Sequence, residues 1–264
     1  MTFNLDQPVA VFDAGIGSYA IVAEIKRQWP HRDILYFADR ASFPYGGKDR
    51  QELLAVMERT IRRLETYAPS AIVMASNAPS IMVLEEARKL TRLPLSGVFP
   101  PLAEALAASR TGKVGIMGVQ SLIASAELTG FIARHAPVPD HVARINASAM
   151  VDLVESGAFL FSPAETQQAV DAFAAAVIAA DEDIDVLTLS STHLPWLKSF
   201  FEKALPEVTF LDPAEAVVAA LGPGAAGTGR IQGLVTEDET YDLATFGRML
   251  KRIGVDIPLE RVDR

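Results

Sequence analysis

Four short segments hold residue types that could do chemistry. Ser191-Thr192-His193-Leu194-Pro195 sets a serine and a histidine two positions apart after an apolar run. A serine nucleophile needs a base within hydrogen-bond reach and an acid to orient that base. The segment therefore reads as hydrolase-like, with Asp13 or Asp185 available as the acid. The G-x-S-x-G turn that exposes such a serine is missing. The plainer reading is that Ser191 and Thr192 cap the following helix. Ile72–Ser80 (IVMASNAPS) has the same build, an apolar run and then Ser76-Asn77. Asp13-Ala14-Gly15-Ile16-Gly17-Ser18-Tyr19-Ala20 carries G-x-G-x-x-A, the pattern in which glycines let backbone N–H groups approach a pyrophosphate, with Asp39 placed to hold a ribose. Yet Asp13 would set a carboxylate against any phosphate, and a Gly-rich strand-to-helix turn accounts for the segment equally. Phe43-Pro44-Tyr45-Gly46-Gly47 is a turn in which Tyr45 lids a core edge, or one whose backbone N–H groups bind a carboxylate.

Each segment stands where an apolar run gives way to helical period. The apolar runs are Val9–Phe12, Ile34–Phe37, Ala71–Ala75, Leu95–Val98, Lys113–Met117, Val142–Ile145, Val186–Leu189, Val208–Leu211 and Ile231–Val235. Helical stretches run from the Gly15 loop to Trp29, then over Asp49–Tyr67, Ser80–Leu90, Leu102–Ser109, Ser121–His135, Ala164–Ala180, Trp196–Ala204, Pro213–Leu221 and Tyr241–Ile253. Gly222–Gly229 reads as a loop. The alternation predicts an α/β protein with largely parallel sheets. Leu187–Pro195 (LTLSSTHLP) rhymes with Ile72–Ser80, which suggests two similar halves. Ligands of open α/β sheets sit outside the carboxyl ends of the strands, so two facing halves would put Ser76 and Ser191 on opposite walls of one cleft.

Composition narrows the chemistry. Of 264 residues, half are hydrophobic and 22% charged, which suits a globular protein and excludes wholesale disorder. With 24 Lys and Arg against 33 Asp and Glu, the net charge of −9 repels nucleic acid and anionic membrane, and no basic patch offsets it. The run Asp181, Glu182, Asp183, Asp185 reads as a solvated loop without metal-ligand spacing. Met1–Pro8 lacks the build of a signal peptide, and no apolar run is long enough for a membrane span, so a cytoplasmic protein is expected. The absence of cysteine excludes disulfides, thiolate metal sites and thiol nucleophiles.

Together these segments resemble the glutamate racemase family of the aspartate/glutamate racemase superfamily. Its D-S-G-x-G-G loop matches Asp13–Ser18, its P-Y-G matches Pro44-Tyr45-Gly46, its A-C-N-T-A-S matches Ala75–Ser80, and its G-C-T-H-Y-P matches Ser190–Pro195. Leu153-Val154-Glu155-Ser156-Gly157 resembles a further family segment more weakly. The resemblance implies two pseudo-symmetric α/β domains with the active-site cleft between them. The first is formed by 1–98 plus 211–264 and the second by 99–210. It implies a cofactor-free reaction in which one cysteine removes the substrate's α-proton and a second donates one from the opposite face. The matching positions are Ser76 with Asp13, and Ser191 with His193. Ala14, Pro44, Tyr45, Gly46, Asn77, Ala78 and Thr192 match the substrate-binding positions. No metal is implied. Family members are often dimers, and a homodimer is expected here.

Both cysteine positions hold serine, a far weaker acid and a poor base for an amino-acid α-proton. The family's hydroxyls are also lost at Ala14, Ala78 and Val119, a pattern of divergence toward a different ligand. Three functions follow as expectations. One is a racemase homologue with Ser76 and Ser191 at the acid/base positions. Another is a lyase, decarboxylase or hydrolase using Ser191 and His193. The third is a catalytically silent binding protein for a small carboxylic or amino acid.

Overall fold

Parallel strands covered on both faces read as unbroken apolar runs, and three such runs are buried along their whole length: β1 (Val9–Asp13), β2 (Ile34–Asp39) and β3 (Ala71–Met74). They form the centre of the first of two units in a computed structural model that describes residues 5–225, 227–237, 239–240 and 242–263. That unit comprises residues 1–98 and 214–264, and the second comprises 99–213.

In the first unit, α1 (Tyr19–Gln28) follows β1, α2 (Arg50–Glu65) follows β2, α3 (Asn77–Ala87) follows β3, and β4 (Leu95–Gly97) ends the first pass. The second unit runs α4 (Leu102–Ala108), β5 (Val114–Gly118), α5 (Gln120–Ile123), α6 (Ala126–His135), β6 (Val142–Asn146), α7 (Ser148–Glu155), α8 (Ala158–Phe161), α9 (Pro163–Ala180), β7 (Val186–Leu189), α10 (Lys198–Ala204) and β8 (Thr209–Leu211). The chain then returns to the first unit through α11 (Ala214–Leu221), β9 (Ile231–Thr236), α12 (Leu243–Arg252) and β10 (Leu259–Arg261).

The α/β class with parallel sheets holds in both units. The first sheet has the order β10-β9-β2-β1-β3-β4 and the second β6-β5-β7-β8, with every pair parallel. The order second-first-third-fourth occurs in both, so β1 corresponds to β5 and β3 to β7. The registers agree as well: Phe12 pairs with Met74, and Met117 with Leu189. One residue further on, the Ala75 N–H donates to Phe12 O (2.8 Å) and the Ser190 N–H to Met117 O (2.9 Å). Ser76 and Ser191 are each the next residue, so they hold equivalent positions in the two units.

The core of the first unit lies between its sheet and α2 and α3, with Phe12, Leu35, Phe37, Met57, Ile61, Met74 and Leu84 fully or nearly fully buried. Asp49 starts α2 with a capping box, accepting from the Glu52 N–H while the Glu52 side chain accepts from the Asp49 N–H. No helix among the described residues is long and apolar enough to cross a membrane.

Several elements differ from the sequence reading. The helix expected from Ser80 begins at Asn77, because Pro79 falls in the first turn, where its missing N–H costs nothing. The stretch expected as one helix over Ser121–His135 is two, since the Ser125 hydroxyl accepts from the Leu128 N–H and starts a new one. The helix expected at Trp196 is preceded by a 3-10 turn over Leu194–Leu197. The short helices α7 and α8 and the edge strand β10 were not expected; their few buried residues give little periodicity. Tyr241, read as the start of the last helix, lies outside the described residues, as do Met1–Asn4 of the segment tested for a signal peptide and Ala226 of the Gly-rich loop.

Candidate active site

In an open α/β sheet the crevice for a ligand forms where consecutive connections leave in opposite directions. The orders above place those switch points between β1 and β3 and between β5 and β7. Asp13 ends β1 and Ser76 follows β3, so both lie at the carboxyl edge of one switch point. Gly118-Val119 and Ser191 occupy the same places in the second unit.

Early entry into α3 sets the chemistry of the first unit. Ser76 is extended (φ −148°, ψ 127°) at the N-cap position, and its hydroxyl makes no capping bond. Asn77 then starts the helix, buried to 2% exposure, and neither its Oδ1 nor its Nδ2 has a hydrogen-bond partner among the described residues. Buried polar groups are nearly always paired, so an orphaned amide at a switch point marks a place that a ligand can complete. Ser80 secures this geometry. Its hydroxyl donates to Ser76 O (2.6 Å) and accepts from the Val98 N–H (2.9 Å), tying the exit of β3 to the exit of β4. Gly97 allows that approach, since a Cβ there would lie 2.6 Å from the Ser80 Oγ. In the sequence Ser80 stood only as the last residue of the matched Ala75–Ser80 segment, with no role of its own.

Asp13 is buried, and its Oδ1 accepts from the Ala14 N–H at 2.7 Å. The Ala14 N–H is thus directed to Asp13, and the Ala14 and Ala78 methyls are buried beside the strand ends. Tyr36 and Ser18 hold the glycine loop through Gly15 O, at 3.1 and 3.4 Å. Tyr45 is buried and anchors the turn: its hydroxyl donates to Asp39 Oδ2 (3.3 Å), and Asp39 Oδ1 accepts from the Thr236 hydroxyl (2.8 Å). Burial, then the Asp39 and Asp13 carboxylates, push the phenol well above its ordinary range. Asp39 is thus engaged within the fold at both oxygens, by Tyr45 and by Thr236. The turn itself closes through Gly47 N–H to Pro44 O and Lys48 N–H to Tyr45 O, leaving the Tyr45 and Gly46 N–H groups outside its own bonds. It packs against α3.

In the second unit an acid other than Asp185 stands beside His193. Glu155, at the end of α7, lies 3.1 Å from His193 (Oε2 to Nε2), and both are buried. Asp185 is buried too rather than part of a solvated loop. It accepts from the Ser109 hydroxyl (2.5 Å) and the Arg110 N–H (2.7 Å), closing the loop before β5. His193 Nε2 thus faces Glu155, so a triad would need Ser191 at the other ring nitrogen, Nδ1. Neither Ser191 nor Thr192 supplies a side-chain cap; the turn over Leu194–Leu197 starts from His193 and has none. Thr192 is buried, as is the Thr188–Ser190 hydroxyl pair at 2.7 Å. Glu155 lay in the segment of weak resemblance, but only the fold shows that it meets His193.

Among the described residues no group of three or more His, Cys, Asp or Glu is placed to hold a metal ion. The structure thus gathers Asp13, Ser76, Asn77, Ala78 and the Pro44–Gly46 turn in the first unit, and Ser191, Thr192 and His193 with Glu155 in the second.

Comparison with known proteins adds to this geometry. A family described as Asp/Glu/hydantoin racemase matches residues 21–221. The glutamate racemase of Herpetosiphon aurantiacus is 32% identical over 213 residues, covering 80% of this chain and 82% of that protein. Among solved structures, a glutamate racemase isoform from Bacillus anthracis aligns with a TM-score of 0.81 at 25% identity, covering 98% of each chain. The glutamate racemase of Thermus thermophilus, solved with beta-chloro-D-alanine, aligns with a TM-score of 0.75 at 29% identity, covering 97% of this chain and 96% of that one.

Proposed function

The chain belongs to the Asp/Glu/hydantoin racemase family, and we propose that it binds a small amino or carboxylic acid through the strand-end loops of both units. In this reading Ser76 with Asp13 and Ser191 with His193 stand at the two acid/base positions. Asn77, Thr192 and the Pro44–Gly46 turn receive the ligand's polar groups, with Ala14 and Ala78 lining its seat. No cofactor is needed. The orphaned amide of Asn77 carries the reading, because it is a buried donor and acceptor that only a ligand or water can satisfy.

Chemistry at the two serines is a different matter from binding. A free thiol has a pKa of about 8.5, whereas an aliphatic hydroxyl is a far weaker acid, so its ionised form is scarce near neutrality. Racemisation of an ordinary amino acid is therefore expected to be very slow, and the function proposed is glutamate racemase-like ligand binding.

The test is deuterium incorporation at the α-carbon of L- and D-glutamate and L- and D-aspartate in D₂O, followed by NMR, alongside ligand-induced thermal stabilisation. The expected result is stabilisation with little exchange in the natural chain, and exchange well above the buffer control in a Ser76→Cys, Ser191→Cys double variant. Exchange in the natural chain, abolished by Ser76→Ala or Ser191→Ala, would make the serines working acid/base groups. No stabilisation and no exchange in the dithiol variant would remove these amino acids from the reading.

A further inference from the structure

Arg32 is 3% exposed, and no carboxylate among the described residues lies in salt-bridge range of it. Its surroundings account for only part of its donor capacity. Nη1 donates to Gly222 O at 2.6 Å, beyond the carboxyl end of α11, where a cation is favoured by the helix dipole. The guanidinium carbon lies 5.6 Å from the centre of the Trp29 ring. Nε and the neighbouring Nη2 form the edge through which arginine grips two oxygens of one anion, and Nε is the buried donor of that edge with no partner among the described residues.

The same guanidinium lines a cavity of about 530 Å³ within the first unit. The cavity lies at the amino ends of β3 and β4, beside Ala71 and Leu95, whereas Asp13 and Ser76 lie at the opposite, carboxyl edge of that sheet. Two further polar groups face into its wall. Ser96 Oγ is buried without a partner among the described residues. Arg88 is held in place by Leu95 O (3.1 Å) and Glu85 (2.6 Å). Leu93, Pro94 and Leu221 supply apolar surface. The backbone makes room for the arginine: Gly224 has φ +60°, and a Cβ there would come within 2.5 Å of the Arg32 guanidinium carbon.

A buried charge without a counter-charge is costly, and replacing it by an apolar side chain of similar volume would relieve the fold. The arrangement is accounted for if the counter-charge arrives with a ligand. We propose that this cavity is a second binding site, for a small organic anion whose phosphate or carboxylate group pairs with Arg32 and Ser96 and whose apolar part lies on Leu93, Pro94 and Leu221. The site is independent of the acid-binding loops at the other edge of the sheet.

The experiment titrates the full-length protein with inorganic phosphate and, separately, with butyrate, at constant ionic strength held with chloride. Affinity is read by calorimetry and by the rise in Tm. The expected result is saturable binding of at least one of the two, weakened about tenfold or more in Arg32→Met and less in Ser96→Ala. Asn77→Leu should leave this binding unchanged, which separates it from any binding at the acid-binding loops. Arg32→Met, measured without added anion, should melt at or above the temperature of the natural chain. Results of two kinds, in binding and in stability, would overturn the proposal. One is binding of neither probe, or binding that survives in Arg32→Met. The other is a clear loss of Tm in anion-free Arg32→Met, which would make Arg32 a structural cap of α11.

Discussion

Replacing Asn77 by leucine tests the poised-amide reasoning with an unusual sign. In most buried positions, an asparagine-to-leucine change breaks hydrogen bonds and destabilises. Here both amide heteroatoms are buried and unpartnered, in a side chain that is 2% exposed. Each such group costs about 1–3 kcal/mol when left unsatisfied. Leucine has a similar volume and removes both groups, so the ligand-free protein should gain about 2 kcal/mol after allowance for imperfect packing. For a chain of this size, about 2–4 °C per kcal/mol gives a rise in Tm of about 4–8 °C. The assay is a thermal melt by circular dichroism in buffer free of amino acids, repeated with glutamate. The variant should melt higher without ligand and lose any stabilisation by ligand. Ser80→Ala, one turn further along α3, is the control of opposite sign, because that hydroxyl is bonded to Ser76 O and to the Val98 N–H. A lower Tm for ligand-free Asn77→Leu would show that the amide is tied into the fold, and the inference of a waiting ligand would fall with it.

Glu155→Ala should lower stability by ~2 kcal/mol, since it removes a buried carboxylate 3.1 Å from His193, while Glu155→Gln should keep most of it; equal Tm values for the two variants, read by the same melt, would deny the pair a role in placing His193. Burial of Asp185 opposes its ionisation, but hydrogen bonds from Ser109, Arg110 and Thr111 outweigh it and hold its pKa below the ordinary carboxylate value. A lowered folded-state pKa adds stability that is present above the unfolded value, about 3.9, and is lost as pH falls through the folded one. Asp185→Asn should therefore be less stable by ~2 kcal/mol at pH 7, and denaturant curves should converge with those of the natural chain below about pH 4; a constant gap from pH 7 to 3 would refute the assignment.

Much of this protein was legible as a string. Unbroken apolar runs and the helical period of 3.6 depend on neighbouring residues alone, so Val9–Phe12, Ala71–Ala75 and Val186–Leu189 could be read as buried strands and Asp49–Tyr67 as an amphipathic helix, each close to the observed element. The absence of cysteine, which sets the limit on the acid/base chemistry, is a matter of composition. The similarity of Ile72–Ser80 to Leu187–Pro195 was visible too, and the matching strand orders explain it.

Contacts between residues far apart in the chain were not legible. Glu155 and His193 are 38 positions apart, and nothing local marks the glutamate as a partner of that histidine rather than Asp185. The Tyr45 hydroxyl donates to Asp39, a bond that the turn residues alone did not indicate. Ser80 gains its place by joining the ends of two strands, and Arg32 meets Gly222 across 190 residues. A side chain's type says which bonds it can make. Which bonds it makes depends on the groups that folding brings within about 3 Å, and on those it leaves unmatched after water has been removed. Type and order were read from the sequence, whereas the unmatched groups, Asn77 and Arg32, exist only once the sheets and helices have closed around them.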